Sequence, residues 1–445
     1  MRCFSFLALA GVLLLSGCGG DSSGGRHSTG HFYFFANDAP GDVRNWEMWR
    51  TDGTMDGTHR IREGSGPSGA NSTYMVYRTR RGAFFVADDG VHGQELWYTD
   101  GTDAGTRLTR DIHPDGDARI EYPKTMNDVL YFSAESPDSG IELWRSDGST
   151  PGTYPLLDLA PGECSSWPRP LGVVGKWMYF RATAGCGGRT SLWRTDGTAT
   201  GTEEVFDGSP MTPVATVPGR LFFSVSTERG RELWVTEGTP QSTHPVTVAG
   251  ETQPVLNGLD LWAVGNTVYF VAYGRDEGRE LYRTDASGRV AYRVSDIHAG
   301  PGNAHPRSLI SIGQQVFFLA DDAQGTGLWR TDGTEVGTLR LLLPGDLEAD
   351  VFLGIGSLRD KLLFITRQGE GQALWMSDGT PAGSSRLRAD LALHDMASLT
   401  PLNGLVLFRA SDGVHGRERW RTDGTDEGTF MLADTCPGPC DGSPL

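Results

Sequence analysis

The sequence has few basic residues for its size, and this scarcity limits the partners that the protein can bind. Among 445 residues, 39 are Lys or Arg and 56 are Asp or Glu, so the formal net charge is −17. Nucleic acids and anionic lipid surfaces attract proteins through basic patches, and a strongly acidic surface repels them. We therefore expect no nucleic-acid partner.

Motifs that carry known chemistry are absent. The sequence contains no GxSxG nucleophile elbow, no HExxH zinc motif, no Walker loop and no dinucleotide fingerprint. His92 and His415 occupy the same place in two near-identical loops, which favours a role in turns over catalysis. We predict no catalytic residue, no bound metal and no cofactor. Carboxylates are plentiful, so a hydrolase that uses a carboxylate pair stays open as an alternative.

Long apolar runs are missing except at the N-terminus. The stretch from Cys3 to Leu15 is apolar but too short to cross a bilayer core of roughly 30 Å. It is followed by Ser16-Gly17-Cys18, and this ending resembles the lipobox of bacterial lipoproteins. By that resemblance, residues 1–17 are a signal peptide and Cys18 carries acyl chains, including palmitate. The alternative is an ordinary secretory signal with an incidental cysteine.

Residues 18–30 are rich in Gly and Ser, which is typical of a flexible tether. Several acyl chains on one residue give stable membrane anchoring, where a single chain is marginal. Gly19 follows the lipid-bearing cysteine, and the usual sorting pattern of lipoproteins then favours the outer membrane. We expect a lipid-anchored protein of the cell envelope.

Glycine is abundant, and an internal repeat explains why. The 61 glycines are roughly twice the average share. Nine segments resemble ELWRTDGTxxGT, and they span residues 31–445 with a period of 41 to 49 residues. Their aromatic positions, expected in the core, are Trp49, Trp97, Trp144, Trp193, Trp234, Tyr282, Trp329, Trp375 and Trp420.

Each period carries four strand signals, and the second run is strongly aromatic, as in WMYFRA. Four antiparallel strands per repeat of about 46 residues are typical of a β-propeller blade. We predict an all-β chain forming a single nine-bladed propeller over residues 31–445, with eight blades as the alternative. A parallel β-helix is disfavoured because its coils are shorter.

The DGTxxGT segment is predicted to be the turn between the third and fourth strands. Its acidic residue can accept hydrogen bonds from the backbone N–H groups that follow it, and glycine supplies a positive φ. A calcium loop is disfavoured because each turn offers one carboxylate. The predicted turn residues are Asp52, Asp100, Asp147, Asp196, Glu237, Asp285, Asp332, Asp378 and Asp423.

These nine segments resemble the ELWxxDGT repeat family of secreted and lipid-anchored bacterial proteins. The resemblance covers essentially the whole mature chain. It implies an extracytoplasmic repeat protein without an assigned catalytic activity. Three positions depart from the pattern: Glu237 in repeat five, and Tyr282 and Ala286 in repeat six.

The chain has six cysteines, and four of them remain once Cys3 and Cys18 are set aside. An even number in an oxidising compartment suggests disulfides. Cys164 lies in an inter-blade loop and Cys186 in the loop between the second and third strands of the next repeat. Those two loop types emerge on the same face of a propeller, so we predict a Cys164–Cys186 bond. The remaining bond then joins Cys436 to Cys440.

The chain begins its first repeat with a second strand, residues 31–36, and ends after the ninth fourth strand. We expect the C-terminal residues to lie beside residues 31–36 and close the ring, at most as a stub of the missing strand. The inter-blade loops and the loops between second and third strands vary in length and content, and both fall on one face.

Loops on a rigid scaffold commonly carry binding. We therefore predict a non-catalytic binding or scaffold module for an extracytoplasmic protein or glycan. An extracytoplasmic hydrolase or lyase with channel carboxylates and a calcium-dependent adhesion module are the alternatives. A solvated acidic surface without a ligand is the simplest competing explanation of the loop face.

Overall fold

Nine small antiparallel sheets follow one another along the chain. The computed structural model describes residues 30–37, 46–61, 76–228, 230–249, 256–273, 278–341, 351–368, 371–380, 382–388, 391–393 and 399–442. Eight of the nine sheets contain four or five strands, and the first contains three. The protein is a nine-bladed β-propeller, as the repeat predicts.

Within most blades the strands pair in chain order. The strands of blades 1 to 3 are β1 (Phe32–Asn37), β2 (Trp46–Thr51), β3 (His59–Arg60), β4 (Val76–Arg78), β5 (Ala83–Asp88), β6 (Gln94–Thr99), β7 (Arg107–Leu108), β8 (Glu121–Met126), β9 (Val129–Ser136), β10 (Gly140–Ser146) and β11 (Tyr154–Leu157). Those of blades 4 and 5 are β12 (Arg169–Val174), β13 (Trp177–Thr183), β14 (Thr190–Thr195), β15 (Thr202–Phe206), β16 (Pro210–Val217), β17 (Arg220–Thr227), β18 (Gly230–Thr236) and β19 (His244–Pro245), with a short 3-10 helix at Pro240–Ser242.

The second half of the ring has two additions to this plan. Its strands are β20 (Thr247–Val248), β21 (Leu256–Val264), β22 (Thr267–Tyr273), β23 (Arg279–Thr284), β24 (Val290–Arg293), β25 (Arg307–Ile312), β26 (Gln315–Asp322), β27 (Gly325–Thr331), β28 (Leu339–Arg340), β29 (Val351–Leu358), β30 (Lys361–Gln368), β31 (Gly371–Ser377), β32 (Ser385–Arg388), β33 (Ala392–Leu393), β34 (Thr400–Leu402), β35 (Leu405–Ser411), β36 (Glu418–Thr422) and β37 (Phe430–Ala433). Strand β20 pairs in parallel with β24 at the edge of blade 6, and both β33 and β34 pair with β35 in blade 9.

Blades pack face to face, so both sides of their middle strands are buried. Leu96 and Trp97 point to opposite faces of blade 2, and they are 0 % and 7 % exposed. The Trp or Tyr of each third strand pairs with a Phe of the second strand, as Phe180 does with Trp193. Those two rings stack with centroids 6.5 Å apart. The aromatic positions predicted for the core therefore form the same cross-strand aromatic pair in every blade.

The first strand of each blade lies nearest the ring axis. Strand β12 contacts the first strands on both sides of it, β8 and β16, as blades that converge toward an axis require. Each first strand follows an inter-blade loop, so its beginning lies at the face that carries these loops, which we call the loop face. Residues at the start of a first strand therefore line the mouth of the central channel.

The ring closes through a contact that also joins blades 3 and 4 and blades 6 and 7. Arg145 of blade 3 donates to the carbonyl of Gly197 in blade 4 at 3.2 Å, and Arg283 of blade 6 donates to that of Gly333 in blade 7 at 2.6 Å. Arg421 of blade 9 donates to the carbonyl of Gly53 in blade 1 at 2.8 Å. Since residues 421 and 53 belong to the last and first repeats, the chain returns to its start.

Side chains also close this interface. Phe32 packs beside Leu402, Leu407 and Leu432 of blade 9. In the described residues β1 pairs only with β2, and residues 443–445, predicted to supply a strand stub, lie outside them. Helices long and apolar enough to cross a membrane do not occur in the part of the chain that the structure describes.

Candidate binding site at the channel mouth of blades 3 and 4

The predicted turn acids hold their turns together. In blade 7, one Asp332 oxygen accepts the backbone N–H of Thr334 at 2.9 Å and its hydroxyl at 2.6 Å. The Thr334 hydroxyl in turn accepts the N–H of Gly337 at 3.0 Å. These hydrogen bonds lower the pKa of the Asp332 carboxyl, the Thr334 hydroxyl contributing most. The same pattern occurs at Asp52, Asp100, Asp147, Asp196, Asp378 and Asp423.

Two turns depart from this pattern, at the repeats whose sequences depart from it. In repeat six, Asp285 accepts the hydroxyl of Ser287 at 2.6 Å and the N–H of Val290 at 3.2 Å, which fits a shorter turn. In repeat five, a capping box between Thr239 and Ser242 supports the turn. Glu237 lies in this turn, where its backbone N–H donates to the Ser242 hydroxyl at 3.3 Å, and among the described contacts its carboxylate accepts no hydrogen bond.

Sequence reasoning misses a buried hydroxyl next to each turn acid. Thr331 is completely buried, and its hydroxyl accepts the N–H of Gly333 at 2.9 Å while bonding the Thr338 hydroxyl at 2.8 Å. The equivalent bond to the turn glycine is made by Thr51, Thr99, Ser146, Thr195, Thr236, Ser377 and Thr422. The signal was available, because Thr or Ser follows the aromatic residue by two positions in every repeat.

The glutamate of the ELW segment is a second feature that sequence reasoning misses. Glu95, Glu142, Glu280 and Glu418 are each 0 % exposed. Glu280 accepts the N–H groups of Ile297 and His298, both at 3.0 Å, and so fastens an inter-blade loop to the third strand. Burial is the largest influence on these carboxyls, and it raises the pKa of Glu95 and Glu280 to about 7 against the hydrogen bonds that they accept.

Both predicted disulfides are present. Cys164 and Cys186 have Cα atoms 5.5 Å apart, and those of Cys436 and Cys440 are 5.7 Å apart. The first bond joins the inter-blade loop before blade 4 to the loop between its second and third strands. It therefore ties together two loops of the loop face.

His92 and His415 lie in matching turns. Asp89 accepts the N–H of His92 at 2.9 Å, and its other oxygen lies 2.8 Å from the His92 Nδ1 atom. Asp412 makes the same contacts with His415, both at 2.8 Å. The nearby carboxylates raise the pKa of both imidazoles, chiefly through the side-chain hydrogen bond.

A group of cations without carboxylate partners lies at the channel mouth between blades 3 and 4. Arg169 begins β12 and pairs in register with Arg181 of β13. Its guanidinium also lies 4.5 Å from the ring centroid of Tyr122 in β8. Lys124 follows Tyr122 on the same strand. We call Lys124, Arg169 and Arg181 the cationic cluster; the described residues place no carboxylate within ion-pair distance of any of the three.

The members of the cationic cluster influence one another across the blade interface. The surrounding protein, followed by the charge of Arg169, lowers the pKa of the Lys124 ammonium. Desolvation, again followed by Arg169, lowers the pKa of Arg181. Lys124 is nevertheless exposed to solvent, and both arginines are half-buried. The exposure of Lys124 leaves the cluster accessible to a ligand from solvent.

The equivalent place in blade 7 is neutralised. Arg307, which matches Arg169, donates to Asp321 at 3.3 Å, and His305 Nδ1 lies 3.2 Å from the same carboxylate. Asp321 pairs in register with Thr326, whereas the matching pair in blade 4 is Thr183 and Thr190. Blade 4 thus has a hydroxyl where blade 7 has a carboxylate, and Arg181 where blade 7 has Leu319.

An exposed tryptophan stands two residues before Arg169. Trp167 is 63 % exposed and has a φ of 50°. Arg119 in blade 3 and His305 in blade 7 occupy the same place and have φ values of 46° and 43°. The left-handed backbone is therefore shared by these three blades and does not depend on the side chain. The side chain at this place differs between the blades. Arg119 and His305 pair with Glu135 and Asp321, whereas Trp167 presents an indole to solvent.

Innermost strands carry carboxylates too, one of them on the strand that carries Lys124. Glu121 lies at the start of β8, and Asp260 lies in β21, where burial raises its pKa. Their blades, 3 and 6, are separated by two others. Across the described residues, no three His, Cys, Asp or Glu side chains are placed to hold a metal ion. Cys18, predicted to be lipidated, lies outside the described residues.

No family model matches this sequence, and neither does any curated protein. Solved structures to which this chain is similar include a puromycin hydrolase (14 % identity, TM-score 0.40), with 81 % of this chain and 58 % of that one covered. A prolyl endopeptidase has 9 % identity and a TM-score of 0.41, covering 78 % and 53 %. Oligopeptidase B from Trypanosoma brucei has 14 % identity and a TM-score of 0.43, covering 74 % and 49 %. The chain spans less than two thirds of the length of these enzymes.

Proposed function

We propose that this protein is a non-catalytic binding module of the bacterial cell envelope, of the ELWxxDGT repeat type, anchored to the outer membrane through acyl chains on Cys18. Its ligand binds at the cationic cluster on the loop face. One observation carries this proposal: three cations lie together at one blade interface with no carboxylate of the described residues within ion-pair distance, in a chain whose net charge is −17.

Folding does not account for such a cluster. Burial, followed by the neighbouring charge of Arg169, lowers the pKa of Lys124 and of Arg181, and both effects raise the free energy of the charged groups in the folded state. Blade 7 builds the same strands with its arginine paired to Asp321. An anionic ligand would supply to blade 4 the negative charge that Asp321 supplies to blade 7.

The surroundings of the cluster favour binding. The Cys164–Cys186 bond restrains the loop that carries Trp167, and the cluster itself lies on paired strands. A site held by rigid elements loses little conformational entropy when its ligand binds. The ligand is an anionic component of the envelope, either protein or glycan.

Capture of envelope components by the purified full-length protein tests this proposal. We expect a component to be retained by the wild type and lost with the double variant Arg169→Gln/Arg181→Gln. Arg189→Gln, in an exposed loop of the same blade, is the matched control for lost positive charge and should retain the component. Equal retention by all three proteins, or none by the wild type, would contradict the proposal.

The proposed anchor has its own test. Cells grown with a radiolabelled or clickable palmitate analogue should label the wild type and leave Cys18→Ser unlabelled. The wild type should then sediment with outer-membrane vesicles. Labelling of the Cys18→Ser variant would contradict the assignment of the lipid to this residue.

A further inference from the structure

We infer that the ligand recognised at the cationic cluster is an acidic saccharide, whose uronate carboxylate binds between Arg169 and Arg181 and whose sugar ring lies against Tyr122 or Trp167. This inference rests on the proposed function and names the ligand class for the same site. It follows from the geometry of the cations, from the charge of the whole chain and from the two exposed rings.

The two arginines suit a carboxylate. A guanidinium presents several N–H donors in one plane, a geometry that matches the two oxygens of a carboxylate. Arg169 and Arg181 lie opposite each other on neighbouring strands, so both can reach one anionic group. The ring of Tyr122, 4.5 Å from the Arg169 guanidinium, helps to hold that guanidinium in place. Lys124, a flexible point charge, adds attraction from the adjacent blade.

The charge of the whole chain selects against densely charged ligands. Three cations attract a carboxylate at short range, while a net charge of −17 repels a polyanion at longer range. A nucleic acid carries about one negative charge per 1.7 Å of duplex, and it binds by neutralising many phosphates at once. A uronate-containing saccharide carries one carboxylate per acidic sugar, separated by neutral hydroxyl groups. It satisfies the cluster with much less repulsion from the rest of the surface.

The exposed rings favour a saccharide over a protein surface. Tyr122 is 41 % exposed and Trp167 is 63 % exposed, and the guanidinium of Arg169 lies over the Tyr122 ring. Protein interfaces have a desolvated core depleted in charged residues, surrounded by a polar rim. Here charge occupies the centre instead. A sugar ring has an apolar C–H face that packs on an aromatic ring. Its hydroxyls form hydrogen bonds with water and with charged side chains.

Calorimetric titration of the full-length protein with four probes tests the ligand class. The probes are trigalacturonate, its methyl ester, a triglutamate peptide and inorganic phosphate. We expect trigalacturonate to bind at least about tenfold more tightly than the other three, because the ester lacks the charge, while the peptide and phosphate lack the sugar ring. Equal binding of acid and ester, or tighter binding of the peptide or phosphate, would overturn the inference.

Variants then locate the site. Arg181→Leu, which copies Leu319 of blade 7, should weaken trigalacturonate binding about tenfold or more, and Trp167→Ala should weaken it for trigalacturonate without changing the weak response to phosphate. Arg189→Leu should bind as the wild type does. Unchanged binding by Arg181→Leu would overturn the inference. If trigalacturonate fails while capture of an envelope component still depends on Arg169 and Arg181, the ligand class is wrong and the proposed function stands.

Discussion

Blades 4 and 7 share one backbone plan and differ at the channel mouth. Both have an arginine at the start of the first strand, Arg169 and Arg307, after a residue with a positive φ. Blade 7 surrounds its arginine with Asp321 and Thr326, so the charge is satisfied internally. Blade 4 surrounds its arginine with Arg181 and Thr183. The comparison teaches that the repeat preserves the turns and the core. Substitutions at the rim of the channel then change the charge of a single blade interface.

The largest effect should come from making blade 4 resemble blade 7. In the double variant Arg181→Leu/Thr183→Asp, a cation is lost and the new carboxylate is placed to pair with Arg169. We expect trigalacturonate affinity to fall about a thousandfold, since two charge-assisted hydrogen bonds of about 1.5–3 kcal/mol each disappear. Calorimetry measures the affinity, and thermal unfolding should show a fold at least as stable as the wild type. Retained binding would mean that the difference between the blades is not functional.

The disulfide is the second difference, because the blade 7 loop over residues 294–306 contains no cysteine. Replacing Cys164 and Cys186, separated by 22 residues, with serine should lower the free energy of unfolding by about 3 kcal/mol through the entropy of the unfolded chain. The Cys436 and Cys440 pair, separated by 4 residues, is the matched control, with a loss of about 2 kcal/mol. Denaturant unfolding measures both losses. Equal stability of the 164/186 variant and the wild type would show that this bond does not restrain the site.

Removal of a buried hydroxyl should cost the same unfolding free energy in blade 4 as in blade 7. Thr195→Val in blade 4 and Thr331→Val in blade 7 each leave a turn glycine N–H without its acceptor. We expect each change to cost about 2 kcal/mol of unfolding free energy, equally in both blades, because the networks match. Denaturant unfolding measures the two losses, and values that differ by more than about 1 kcal/mol would break the equivalence of the scaffolds.

The smallest expected effect is the pH dependence of the unfolding free energy. Blades 2 and 6 contribute to it through a buried glutamate, and blades 4 and 7 do not. The buried Glu95 and Glu280 have pKa values of about 7 in the fold, against an ordinary value of 4.5. The folded protein therefore holds more protons between about pH 4.5 and 7, and its unfolding free energy falls as the pH rises through that window. Above about pH 7 this contribution stays constant.

Blades 4 and 7 have Ser191 and Gly327 at the equivalent position and contribute nothing to this slope. Glu95→Gln should reduce the loss of stability between pH 5 and pH 8 by on the order of 1 kcal/mol. Denaturant unfolding at the two pH values measures it, with the exposed Glu163→Gln as the control. A wild-type protein that becomes more stable from pH 5 to pH 7 would contradict the assignment of these pKa shifts.

Several features of the fold follow from local chemistry and were predictable. The nine aromatic positions from Trp49 to Trp420 and the acid–glycine turns repeat at one period, and a short-range pattern repeated nine times predicts one sheet built nine times. The pairing of Cys164 with Cys186 followed from which loops share a face. The turn role of Glu237 was inferred from alignment alone, whereas the capping box between Thr239 and Ser242 that supports this turn was not predicted.

The candidate site was not predictable in the same way. Lys124 and Arg169 belong to different repeats, and each one alone is an ordinary surface cation in the sequence. Whether a carboxylate lies beside them depends on strand register, which places Thr183 in blade 4 where Asp321 stands in blade 7. The importance of Trp167 likewise depends on its exposure, which the sequence does not state.

By itself, the sequence determined the period, the turn chemistry and the four-stranded unit, because these depend on residues a few positions apart. The tertiary structure decided the number of blades and the second role of the DGT glycines. Gly53 has a φ of 94° and its carbonyl accepts the Arg421 guanidinium from the far end of the chain. The tertiary structure also brought Lys124, Arg169 and Arg181 together across one blade interface. Contacts between residues distant in sequence depend on how whole blades pack around the axis, and no local pattern encodes that packing.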